Sequence, residues 1–340
     1  MPVRDAKGGV LVLGGGFAGA YVARLLGERG ATIVSQENFM LYTPLLPEAA
    51  SGTLEPRHTV VPLRVMCPHA DLLLGDLRSV DVEAQTATIA TDQGDVVVWW
   101  QQLVIALGAI PRVVQVPGLA EHGLSFKSLP DAINLRNHVL RKLEAADAAS
   151  DDAVRRAELS FVFVGAGYAG VEALAELSDL VADAMRYYPR LQEVPQRWVL
   201  VDAAPKILPE IPPRLGEYAA HELAERGVEI HVGTMLQSVS EDEAVLGDGT
   251  RIPTHTLVWT AGVRANPILR ELGLPLDDRQ RVEVDEFLRV RGSANVWALG
   301  DCARVPNRKA DVPDPPTCQH ALRQARRLAK NLQGELEPYG

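Results

Sequence analysis

Two glycine triplets carry the clearest chemistry in this sequence. Gly14, Gly16 and Gly19 follow the apolar, β-prone run Val10-Leu-Val-Leu13, and Gly165, Gly167 and Gly170 follow Phe161-Val-Phe-Val164, 151 residues later. Each triplet reads G-x-G-x-x-G between an expected strand and an expected helix, the order that a dinucleotide-binding βαβ unit requires. The first glycine permits a tight turn, the second lets a pyrophosphate approach the backbone, and the third lets helix and strand pack closely. The helix N-terminus then presents unpaired N–H groups and a positive dipole end to the phosphates. A single such motif arises readily by chance, whereas two with the same flanks specify two nucleotide sites.

Sugar recognition normally falls at the end of the next strand, where an acid accepts hydrogen bonds from ribose hydroxyls. In the second copy Asp202 ends the strand Trp198-Val-Leu-Val201, and a carboxylate there repels a 2′-phosphate, favouring NADH over NADPH. The long interval before it contains Tyr187 to Pro195, read as an insertion or a helix extension. In the first copy the position holds Ser35, with Glu37 two residues on, so Ser35, Glu37 or the backbone alone could meet the ribose. Two further apolar strands end in glycine, at Gly108 and Gly262, each preceded by an acid-and-glycine turn and followed by a proline loop. Val296-Trp-Ala-Leu-Gly300-Asp301 is another, and its acid suits the hydroxyls of a polyol. Joined to the first glycine loop, that is what FAD requires: one end grips pyrophosphate and the other grips ribitol.

These residues must be placed by a sizeable scaffold. A chain of 340 residues has room for about two domains. The repeated order of elements predicts an α/β fold of two Rossmann-like domains, with parallel sheets and β-meander crossovers, the second domain inserted in the first. Leu129 to Glu158 reads as a surface helix whose apolar face is Ile133, Leu135, Val139, Leu140 and Leu143, with a polar linker around Asp147 to Asp152. A net charge of −10 without a basic run excludes a nucleic-acid binder. Arg4 and Lys7 ahead of the apolar Val10 to Ala23 mimic a signal peptide, but Gly14 to Gly16 interrupt the run. No stretch reaches the roughly 18 apolar residues of a spanning helix. Three cysteines, Cys67, Cys302 and Cys318, make no disulfide framework and no C-x-x-C pair; Cys302 and Cys318 are read as buried free thiols in a reducing compartment. The histidines show no metal-ligand spacing.

From Val10 to Leu332 the chain resembles the flavoproteins with two dinucleotide-binding domains, most closely the type II NADH dehydrogenases, single-chain NADH:quinone oxidoreductases. The resemblance rests on Gly14 to Gly19, Asn38 to Gly52 with Tyr-Thr-Pro-Leu-Leu-Pro, Gly165 to Glu172, Val258 to Arg264, Ala298 to Cys302 and Thr317-Cys-Gln-His-Ala321. It implies an FAD-binding domain of residues 1–120 and 263–340 and an NADH-binding domain of residues 121–262. Gly14, Gly16, Phe17, Gly19, Gly108, Gly300 and Asp301 would hold FAD, with Pro44 and Leu45 by its ring system and Gln319 and His320 at the pyrimidine end and quinone pocket. Gly165, Gly167, Gly170, Asp202 and Gly262 would bind NADH. Glu172 would steer the nicotinamide or relay a proton, or serve only as a first-turn acid matched to the helix dipole. Cys318 stands where the family usually has alanine, Ser35 where it has an acid, and Leu107 where threonine is common.

The implied reaction is hydride transfer from NADH to flavin N5, then reduction of a quinone or other small acceptor, with no active-site disulfide. Two other readings compete: a soluble NADH oxidase or reductase using oxygen or a carrier protein, and a non-catalytic redox sensor binding FAD and NAD. The resemblance also implies a cytoplasmic protein, peripheral on the inner face of the cell membrane through a C-terminal segment not present in these 340 residues. It further allows a homodimer.

Overall fold

The structure is a computed structural model and describes residues 2–112, 114–308 and 312–340. Two compact units share the chain: Met1–Leu41, Val60–Ile110 and Val263–Gly340 form one, and Tyr42–Thr59 and Pro111–Gly262 the other. The segment around Pro44 and Leu45 therefore groups with the second unit.

Each unit is built on a five-stranded parallel sheet. In the first, the spatial order is Val296–Ala298, Gln102–Ile105, Val10–Leu13, Thr32–Ser35, Asp71–Leu74. In the second it is Gly123–Ser125, Thr256–Trp259, Ser160–Val164, Arg197–Asp202, Val228–Val232. The expected strands are short and almost wholly apolar because a parallel sheet is covered on both faces. All four residues of Val10–Leu13 and all five of Ser160–Val164 are buried. Side chains such as Leu11, Leu13, Phe161 and Phe163 are each worth roughly 1.5–3 kcal/mol of burial. Phe161 also stacks on Trp198 of the adjacent strand, with ring centroids 4.4 Å apart.

The expected meanders are present. In the first unit, Asp76–Asp81, Thr86–Thr91 and Gly94–Trp99 run antiparallel, with Val3–Asp5 added parallel to the last. In the second, Leu236–Val239, Glu243–Leu246 and Arg251–Pro253 form a three-stranded antiparallel sheet.

Helices follow both glycine loops, over Phe17–Leu25 and Tyr168–Ala184. The linker helix spans Leu129–Ala148 behind a capping box of Ser128 and Asp131, and Asp151 caps a second helix, Asp152–Glu158. Its core stripe is Leu135, Val139 and Leu143, all fully buried, while Ile133 is exposed, so the apolar face is narrower than the sequence suggested. The Tyr187 to Pro195 interval is neither a long helix nor a strand: a short 3₁₀ turn, Met185–Tyr187, leads into turns anchored by the buried Leu191. The helix Cys318–Leu332 packs on Phe17–Leu25 in the first unit. Among the described residues no helix is long and apolar enough to cross a membrane.

Candidate functional site

In the first unit the strand registers align four chain ends along one sheet edge, since Leu13 pairs with Ile105 and Val34, and Ile105 with Ala298. Gly14 leaves this edge with φ +114°, and a Cβ there would lie 2.2 Å from Ala106 O. A Cβ on Gly19 would stand 1.9 Å from Gly14 O, so only glycine lets the helix start this close to the strand. Gly16 is different: nothing lies within 4 Å of where its Cβ would be. The loop thus closes tightly at both ends and leaves its middle open, the shape of a phosphate cradle at a helix N-terminus.

The other expected residues surround this cradle unequally. Ser35 Oγ lies under the loop, 2.5 Å from a Cβ placed on Gly15, whereas Glu37 is exposed beyond the strand end. Gly108 has φ +61° and open space beside it. Gly300, at φ +72°, begins the turn that carries the half-buried Asp301, and a Cβ on it would meet Ala18 Cβ, inside the first glycine motif, at 3.1 Å. Phe17 is half-buried at the first position of its helix. Gln319 is exposed and His320 half-buried on the first turn of Cys318–Leu332, where Thr317 Oγ1 caps His320 N at 3.3 Å and pairs with His320 Nδ1 at 2.8 Å.

The second unit repeats the cradle. Gly165 has φ +115° and would clash through a Cβ with Ala261 N at 2.6 Å, and a Cβ on Gly170 would lie 1.8 Å from Gly165 O. Gly167 is again open, with only Glu210 Oε1 at 3.7 Å. Asp202 stands at the neighbouring strand end, its Oδ2 accepting from Ala166 N at 2.5 Å and its Oδ1 from Ala204 N at 2.7 Å. Thr260, which the sequence reading passed over, donates its hydroxyl to Val164 O at 3.0 Å and Gly165 O at 2.9 Å, bracing the loop from the strand that leads to Gly262. Gly262 itself has φ +74° and its carbonyl accepts Arg112 N at 3.1 Å.

Glu172 lies on the Tyr168–Ala184 helix in company the sequence did not reveal. The helix Leu46–Ser51 packs against it, bringing Glu48 close, while Glu176 follows one turn later. Glu172 is exposed as a residue, yet its carboxyl is partly shielded from water and faces Glu48 and Glu176, and these together raise its pKa. Ser51 Oγ donates to Glu176 Oε2 at 2.7 Å, and Glu48 Oε2 is a buried oxygen without a hydrogen-bond partner. Glu176, four residues beyond Glu172, was legible from helical spacing; Glu48 was not. Pro44 and Leu45 occupy the 3₁₀ turn Thr43–Leu45 just before that helix.

Among the described residues Cys67, Cys302 and Cys318 form no disulfide. Cys67 and Cys302 are buried, and burial pushes their thiols up to about 11 and about 12. Cys318 departs from the sequence expectation: it is half-buried, because it opens a helix whose first turn reaches the surface.

Residues 8–325 match the model of the pyridine nucleotide-disulphide oxidoreductase family. The external alternative NADH-ubiquinone oxidoreductase of Yarrowia lipolytica mitochondria is 31% identical over 98% of this chain and 60% of its own length. The type II NADH:quinone oxidoreductase Ndh of Mycobacterium tuberculosis is 30% identical over 96% of this chain and 72% of its own. The chain thus spans about 60% of the length of the first of these relatives. Among solved structures, NDH2 from Plasmodium falciparum in complex with NADH superposes with a TM-score of 0.86 at 18% identity, covering 95% of this chain and 83% of that one, which supports the fold. Two glycine cradles on two parallel sheets, with a family match across nearly the whole sequence, place the chain: it belongs to the pyridine nucleotide-disulphide oxidoreductase family, in the branch of the type II NADH:quinone oxidoreductases.

Proposed function

We propose that this protein is an FAD-dependent NADH dehydrogenase that passes electrons to a quinone. The observation that carries the reading is the asymmetry of its two cradles: one has an acid, Asp202, at its ribose end, and the other has the Gly300-Asp301 turn beside its glycine loop. FAD fits the first, where the open position at Gly16 and the helix N-terminus suit a pyrophosphate. Gly14, Gly16, Phe17 and Gly19 would hold that group, with Ser35 and Glu37 toward the ribose, Asp301 toward the ribitol, and Gly108, Gly300, Gln319 and His320 around the rest. NADH fits the second, on Gly165, Gly167, Gly170 and Gly262, with Asp202 accepting from the ribose hydroxyls and opposing a 2′-phosphate.

Bound FAD supplies the hydride acceptor and then the electron pair for the quinone. The protein's part is orientation and charge. Glu172, with its raised pKa, is suited to hold a proton beside the reacting groups, and Gln319 to hydrogen-bond the acceptor. The relatives' names support the quinone, being NADH-ubiquinone and NADH:quinone oxidoreductases. The free, buried thiols of Cys67 and Cys302 support a route without a dithiol. A lipid-soluble acceptor is met at a membrane surface, so the proposal includes peripheral contact with the inner face of the cell membrane.

Stopped-flow mixing of the FAD-loaded protein with NADH tests the reading. The flavin absorbance is expected to bleach, and a short-chain quinone to restore it faster than air does. A flavin that stays oxidised overturns the dehydrogenase, and recovery no faster than in air overturns the quinone.

A further inference from the structure

A line of polar groups, buried at its centre, runs from the Gly300 turn into the C-terminal part of the first unit. Gly300 N donates to Gln324 Oε1 at 2.8 Å, Gln324 Nε2 donates to Asp314 Oδ2 at 3.0 Å, and the same oxygen accepts Tyr339 Oη–H at 2.7 Å. Gln324 and Asp314 are only 2% and 6% exposed. On the other side of Asp314, His320 Nε2 faces Oδ1 at 3.8 Å. Tyr339 is itself fixed by its backbone, which donates to Glu286 O at 2.7 Å.

The residue types are dictated by this line. Gly300 offers a donor and Asp314 an acceptor, so the side chain between them must accept at one end and donate at the other, as an amide does. A glutamate there would set two carboxylates together in a buried place, and a leucine would orphan both the Gly300 amide and one Asp314 contact. Tyr339 must stay a phenol to donate, and burial and then Asp314 raise its pKa accordingly.

We propose that Gln324 is a positioning residue for the flavin: braced by Asp314 and Tyr339, it holds the left-handed Gly300 against Ala18 and thereby aims Asp301 at the ribityl hydroxyls. This rests on the FAD reading above. Gln324 does not touch the cofactor; it removes the freedom of the turn that does, so ordering is complete before binding.

The test is a double-mutant cycle on FAD affinity, read from flavin fluorescence, with Gln324→Leu, Asp301→Ala and the pair. Gln324→Leu is expected to weaken FAD about tenfold and shift the visible flavin band, leaving the NADH dissociation constant within twofold. In the Asp301→Ala background it is expected to weaken FAD further by less than twofold, because the aimed group is gone. Full additivity of the two losses overturns the proposal, as does unchanged affinity in Gln324→Leu. Should Gln324→Leu fail to fold, Tyr339→Phe removes one hydroxyl and is expected to weaken FAD two- to threefold; no change there overturns the proposal equally. A wild-type chain that binds no FAD would instead overturn the flavin reading itself.

Discussion

Asp202 Oδ2 accepts the backbone amide of Ala166 at 2.5 Å, tying the end of one strand to the middle of the glycine loop that follows its neighbour. The other oxygen takes Ala204 N, so the carboxylate ties the glycine loop to the turn that follows its own strand. A charged acceptor serves two donors here, and charge-assisted bonds of this kind are about twice as strong as neutral ones.

Asp202→Ala is therefore expected to act twice, loosening the loop and removing the ribose acceptor. NADH should bind about tenfold more weakly, roughly 1.4 kcal/mol, and the preference over NADPH should shrink. Titration of both nucleotides against the variant checks this; an unchanged preference would remove Asp202 from the sugar site.

The glycines separate folding from binding. Gly19→Ala and Gly170→Ala drive a Cβ into a carbonyl oxygen at 1.9 and 1.8 Å, so thermal midpoints should fall by about 5 °C or more. Gly16→Ala meets nothing in the protein and adopts ordinary backbone angles, φ −79° and ψ −165°. Its midpoint should stay within about 2 °C of wild type while retained FAD drops. Calorimetry and flavin absorbance on the same samples distinguish the two classes, and a Gly16→Ala variant that keeps all its flavin would argue against the cradle.

His138 offers a pH signature in the second unit. Burial first, then Lys142 and Arg141, lower it from 6.5 to about 4, while its Nε2 pairs with Thr256 Oγ1 at 2.9 Å. The unfolded chain binds this proton more readily, so the stabilising contribution is complete above pH 6.5 and is lost as pH falls toward 4. Thermal midpoints measured from pH 8 to 4 should show the loss in wild type and a shallower one, by on the order of 5 °C, in His138→Gln. Parallel curves would mean that His138 does not titrate in this window.

Thiol chemistry should be silent during turnover. Cys67 and Cys302 are buried with pKa values of about 11 and about 12, so little thiolate exists at neutral pH. A thiol reagent should count the same number of reactive groups before and after anaerobic NADH, and Cys302→Ala should still be bleached. New thiols appearing on reduction would reinstate a disulfide relay.

Much of this molecule was legible in one dimension for local reasons. Gly14 and Gly165 need positive φ, and Gly19 and Gly170 need a missing Cβ; such requirements are met within a few residues and recur in both copies. The order strand, glycine loop, helix, strand in both copies announced parallel sheets, and Val10–Leu13 and Ser160–Val164 are buried throughout because such sheets are covered on both faces. Ile133 misled because helical spacing marks a face but not how wide a stripe its neighbours cover.

The sequence by itself determined the two strand–glycine loop–helix units and the acid at the strand end, Asp202, because each follows from backbone sterics and short-range order. Only the tertiary structure decided that Glu48 meets Glu172 and that Gly300, Gln324, Asp314 and Tyr339 form one polar line. Those partners are brought together by the packing of separate elements, and a buried polar group finds its partner wherever that packing places one.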